Sequence, residues 1–75
     1  MKFATIGQRL LALLRREAAG RRELRVTHQE LADRVGATRE NVSRLLGLLR
    51  DRGVLGLARG RIEVLDHARL EREEI

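Results

Sequence analysis

Ile6, Leu10, Leu13 and Leu14 recur at the spacing that places apolar side chains on one face of a helix, with Leu11 on its flank. The pattern predicts a first helix from about Thr5 to Ala18, stopped near Gly20. In "RRELRV" the period shortens to two, with Leu24 and Val26 on either side of Arg25, which reads as a short strand. Helical spacing then returns twice. Leu31, Ala32 and Val35 form the inward stripe of a second helix, and Val42, Leu45, Leu46 and Leu49 (i, i+3, i+4, i+7) that of a third. Thr27-His28-Gln29-Glu30 has the form of a capping box, so the second helix starts just after Thr27. Gly36 ends it, because a tight turn there needs the left-handed backbone glycine tolerates. Thr38 caps the third helix and Gly53 closes it. "VLGL", Ala58-Arg59-Gly60 and "RIEVL" read as strand, turn and strand. Asp66 is placed to cap a short last helix that frays into the charged tail Glu71-Arg72-Glu73-Glu74.

Two helices joined at a glycine, the second held by its apolar face, describe a helix-turn-helix over about residues 27–53. Ala32 is small where the two helices should cross, Gly36 sits four residues on at the turn, and Val42 and Leu45 lock the third helix against the second. The strand pair at about 54–65 makes a wing. The expected fold is mainly α with a small β-hairpin: a winged helix-turn-helix with a three-helix core plus wing, one domain across residues 1–75. A chain this short buries only roughly 60% of its unfolded surface, which leaves room for one core.

Charge adds a partner class. The formal net charge is +5, and the sixteen basic residues are fifteen arginines and Lys2. Arginine offers planar, two-pronged donation to phosphate and to guanine. Because the tail is acidic, the body is more basic than the total suggests, which points to a polyanion, most simply nucleic acid. Charge by itself fits a solvated, salt-bridged surface equally well. Phe3 is the only aromatic residue, so the stacking platforms of many single-strand and RNA binders are missing.

Other classes are excluded in turn. There is no cysteine for a disulfide or a thiolate site. The apolar run Leu10–Leu14 is too short for a membrane span and is followed at once by Arg15 and Arg16, unlike a signal peptide. His28 and His67 are far apart and lack a glycine-rich phosphate loop or paired carboxylates. His28 is expected on the surface of the second helix's first turn and His67 in the terminal helix. No catalytic centre, metal site or cofactor is expected in this chain, and its expected location is cytoplasmic, on the nucleoid.

On the third helix, about residues 39–52, the face opposite the core stripe carries Glu40, Arg44 and Gly47, with Arg39 and Ser43 flanking at its N-terminal end. That end of a recognition helix meets base edges in the major groove. Arg39 and Arg44 can each donate two bonds to guanine O6 and N7, and Glu40 can accept from cytosine N4. Gly47 lets the helix lie close to the groove wall. The bland alternative is an exposed Arg/Glu surface; Glu40 and Arg44 have the i,i+4 spacing of a weak pair. Arg59 and Arg61 near the wing tip are candidates for phosphate contacts. Thr27, Gln29 and Thr38 stand at helix N-termini, where hydroxyls, amides and free N–H groups suit phosphate oxygens, although capping alone accounts for both threonines.

Across "VTHQELADRVGATRENVSRLLGLLRDRGVL" and the wing "GRIEVLD", the chain resembles the DNA-binding domain of the Crp–Fnr family of bacterial transcription regulators, with "TRENVSRLL" the most specific stretch. "IGQRLLALL" resembles the helix that opens that domain. The resemblance implies that Arg39, Glu40 and Arg44 match the branch reading a GTGA-like half-site, and that Thr27 and Gln29 match positions touching phosphate. The family's cyclic-nucleotide-binding barrel and long dimerisation helix have no counterpart in these residues. The expected partner is double-stranded DNA, with a second copy of the chain and RNA polymerase as further candidates and no membrane. The competing class is a winged-helix module for protein interaction or dimerisation without sequence-specific DNA binding, to which the leucine-rich first helix lends weak support.

Overall fold

The computed structural model describes residues 4–75. Helix α1 spans Ile6–Glu17, α2 His28–Val35, α3 Arg39–Asp51 and α4 His67–Arg72; strands β1, β2 and β3 span Glu23–Leu24, Leu55–Ala58 and Arg61–Val64. Each helix begins on a side-chain cap. Thr5 and Gln8 form a capping box at α1, and Thr27 and Glu30 form the one expected at α2. Thr38 and Asp66 each accept from a backbone N–H in the first turn of α3 and α4. These caps satisfy N–H groups that the helix itself leaves unpaired.

Gly36 closes α2 at φ +72°, and the N–H of Ala37 returns to the Ala32 carbonyl at 2.9 Å. A side chain would be strained there, which is why the turn between α2 and α3 is so short. At the end of α3, Gly53 N–H bonds the Arg50 carbonyl and Val54 N–H bonds the Leu49 carbonyl, both at 3.0 Å, a paired closure that turns the chain into β2.

The core is the predicted one. Leu10, Leu13 and Leu14 of α1, Leu31, Ala32 and Val35 of α2, and Val42, Leu45, Leu46 and Leu49 of α3 are buried in one cluster with Val54, Leu55, Ile62, Val64 and Leu70. Ala32 is fully buried, as the close crossing of α2 and α3 requires. Leu11, expected on a flank, is buried too.

The expected wing hairpin is present, β2 and β3 pairing through the Ala58-Arg59-Gly60-Arg61 turn, and the expected short strand β1 joins it as a third antiparallel strand in the order β1-β3-β2. Leu24 pairs with Ile62 there, and Val26 lies beyond the strand. A two-strand ribbon is marginal alone, and the third strand ties the wing to the chain entering α2. One expectation is corrected: the tail after α4 does not fray. Arg15 donates to the Leu70 carbonyl at 2.9 Å and to the Glu73 carbonyl at 2.8 Å. The largely covered Glu73 carboxylate pairs with Arg52 at 2.7 Å and with Arg69 at 3.0 Å. Ile75 packs against the core, and a Cβ on Gly7 would collide with its backbone.

Candidate nucleic-acid interface

Helix α3 is pinned along its full length by Val42, Leu45, Leu46 and Leu49. Its opposite face is therefore fixed in direction and turned to solvent, and Arg39, Glu40 and Arg44 are all exposed on it. Among the described residues no ion pair holds these three side chains; the pairing available to Glu40 and Arg44 by spacing is not formed. Gly47 is half-buried, and a Cβ there would lie 3.6 Å from the Arg50 guanidinium, an ordinary contact. The fold does not demand a glycine at that position.

Ser43, the remaining base-contact candidate, is already partnered. Its Oγ lies 2.7 Å from Nδ1 of His28, the first residue of α2. His28 is half-buried rather than a plain surface residue. Burial, and secondarily the Arg39 charge, hold its imidazole below the ordinary 6.5.

Three of the five phosphate candidates, Thr27, Gln29 and Arg59, gather around one groove. Thr27, His28 and Gln29 from the start of α2, Arg39 and Arg50 from α3, and Arg59 from the wing turn line it together. The Thr27 oxygen accepts from the Glu30 N–H at 3.0 Å while the Glu30 carboxylate accepts from the Thr27 N–H at 2.9 Å. These bonds, the backbone one foremost, keep the Glu30 carboxyl below its usual value. Each cap uses a hydroxyl oxygen as acceptor and leaves its proton available to a further acceptor. Thr38, whose oxygen accepts from the Asn41 N–H at 3.2 Å, is exposed but outside this groove. Gln29 donates to Asp33 at 2.8 Å. Arg61 stands at a second hollow with Arg25, Arg59 and Gly60, and the Glu23 carboxylate lies 3.5 Å from both Arg25 and Arg61.

Three contributors escaped the sequence. Arg25 had a signal, since it alternates with Leu24 and Val26 and so points away from the core. Arg50 lies two turns from the expected contact end of α3, and only the position of the wing brings it in. His28 carries no mark of its link to Ser43, fifteen residues away. A larger cleft lies elsewhere, between α1 and the tail, and none of the candidate residues lines it.

A basic groove between a pinned helix, a helix N-terminus and a hairpin turn defines a winged-helix DNA-binding module. Residues 6–73 match the model of the Crp-like helix-turn-helix domain, and the chain belongs to that family. The transcriptional regulator LdrP of Thermus thermophilus is 46% identical over 48 residues, covering 64% of this chain and 25% of its own. A solved structure named as a Crp/Fnr-family transcriptional regulator from Eubacterium rectale superposes with a TM-score of 0.83 at 34% identity, over 91% of this chain and 32% of that one. The catabolite activator protein of Thermus thermophilus gives 0.69 at 40% identity, over 89% of this chain and 30% of its own. The chain thus spans a quarter to a third of the length of these relatives.

Proposed function

We propose that this chain binds double-stranded DNA sequence-specifically in transcription regulation, with α3 in the major groove and the wing turn on the adjacent backbone. The observation that carries this is the exposed row Arg39, Glu40 and Arg44, without ion pairs among the described residues, on a helix whose other face is committed to the core. Arg39 and Arg44 donate to guanine edges, Glu40 accepts from cytosine, and Ser43 completes the base-reading set. Thr27, Gln29, Thr38, Arg59 and Arg61 take phosphate oxygens, joined by Arg25 and Arg50, which border the same surface. By resemblance to the Crp–Fnr branch with Arg, Glu and Arg at these positions, the site contains a GTGA-like step.

The relatives are transcription regulators, and the role is binding rather than catalysis. A pair of such chains would engage half-sites about 34 Å apart, one helical turn of DNA. Among the described residues no helix is long and apolar enough to cross a membrane; the working place is the cytoplasmic nucleoid, where RNA polymerase is a further partner.

Mobility shift on random duplex DNA tests this. A shift at low salt that weakens steeply as salt rises is expected, because each neutralised phosphate releases counterions. No shift at low salt would contradict it and direct attention to a protein partner.

A further inference from the structure

His28 opens α2, Ser43 stands on α3, and their side chains meet across the helix-turn-helix at 2.7 Å. Among the described residues Nδ1 is the bonded ring nitrogen, and no buried side-chain nitrogen or oxygen lacks a partner, so Nε2 is not fully buried in the groove that His28 lines. A serine hydroxyl has one proton to give and lone pairs to accept. With Nδ1 unprotonated, Ser43 must donate inward, and its outer side can only accept. With a proton on Nδ1, Ser43 accepts from the ring, and its own proton is free to point outward. The imidazole therefore sets the polarity that the serine presents.

The surroundings choose between these states. Arg39 and Arg50 from α3 and Arg59 from the wing turn line the groove with His28, while Thr27 and Gln29, its neighbours on its own side, are neutral. Burial, and secondarily the Arg39 charge, disfavour the imidazolium, while Arg39 and Arg59, which make no ion pair among the described residues, attract a phosphate; Arg50 is paired with Asp51. A phosphate oxygen there accepts from Nε2–H and places the ring's proton on Nε2; burial and the Arg39 charge oppose a second proton, so Nδ1 stays the acceptor toward Ser43.

We propose that His28 is a positioning residue that sets the hydrogen-bond polarity of Ser43, so that a DNA phosphate held at the start of α2 makes Ser43 an acceptor toward the base edges. This rests on α3 reading the major groove. An accepting Ser43 favours adenine N6–H2 or cytosine N4–H2 over the keto edges of guanine and thymine. A backbone contact, which carries no sequence information itself, thereby tunes a base contact.

The test starts from the site the wild-type chain selects out of random duplexes. Each position is varied singly, and relative affinities are measured at pH 7.5 for wild type, Ser43→Ala, His28→Ala and the double variant. Ser43→Ala is expected to lose about a 2- to 10-fold preference for adenine or cytosine at one position, the size of one hydrogen bond. His28→Ala should lose the same preference at the same position, and the double variant no more than either. Nitrogen-15 NMR of the complex should find Nδ1 unprotonated at pH 7.5. Lowering the pH until Nδ1 takes a proton should turn the wild-type preference toward guanine or thymine, and this arm decides alone if His28→Ala does not fold. The proposal is overturned if His28→Ala keeps the Ser43-dependent preference, if Nδ1 is protonated in the complex at pH 7.5, or if the preference ignores that protonation. A wild type that selects no site at all overturns the DNA reading beneath it instead.

Discussion

Arg44 and Gly47 differ in what the fold asks of them. Arg44 is exposed on α3 and makes no ion pair among the described residues, so the fold does not fix its chemistry. Gly47 has room for a methyl group and an ordinary helical backbone, yet a glycine inside a helix costs roughly 1 kcal/mol relative to alanine. On the proposed reading of α3 in the major groove, close approach of the groove wall would account for a glycine here. Gly47→Ala is therefore expected to raise stability by up to about 1 kcal/mol in denaturant titration, while weakening DNA binding in the same preparation. A variant that gained stability and bound DNA as well as wild type would remove the reason for the glycine.

At the scale of elements, the wing acts through charge. Arg59 sits on the β2–β3 turn beside the groove and makes no ion pair among the described residues. Arg59→Ala should weaken binding to every sequence alike and reduce the slope of log affinity against log salt by about one. A selective loss on one sequence would instead mean that Arg59 reads bases. The helices carrying the rest of the interface were legible because their signals are local. Capping residues and apolar spacing mark α2 and α3 within a few positions, and the outer face of α3 follows as the complement of its buried stripe. The short strand at Leu24 was legible, but its pairing was not, because Leu24 finds Ile62 far along the chain. The tail misled for the same reason. "EREE" reads as solvated charge until Arg15 and Arg52, from elsewhere in the sequence, are brought to it.

Across the whole molecule, side-chain pairs join distant segments: Arg34 holds Glu17 at 2.9 Å between α2 and α1, and Glu73 fastens the tail to Arg52. Arg34, through its hydrogen bond and charge, lowers the Glu17 carboxyl, and the bond from Arg52 does most to lower that of Glu73. Together with Glu30, these groups have folded-state values below the ordinary 4.5. As pH falls past that value, the unfolded chain takes up protons first, so stability present above it is lost as the folded values are crossed. His28 acts in the same direction from below 6.5, because its folded-state value is also lowered. Thermal melts should be level above pH 7, decline below 6.5 and fall further below 4.5. His28→Ala should remove only the upper step; an unchanged upper step would assign it to another group.

The central claim is that α3 turns a base-reading face to DNA, and Arg44 carries it most directly. Selection from random duplexes should give the wild-type chain a defined site containing a guanine step. Arg44→Ala should relax that position and cost about 1–3 kcal/mol on the wild-type site. The same site selected with equal strength by Arg44→Ala would contradict the account.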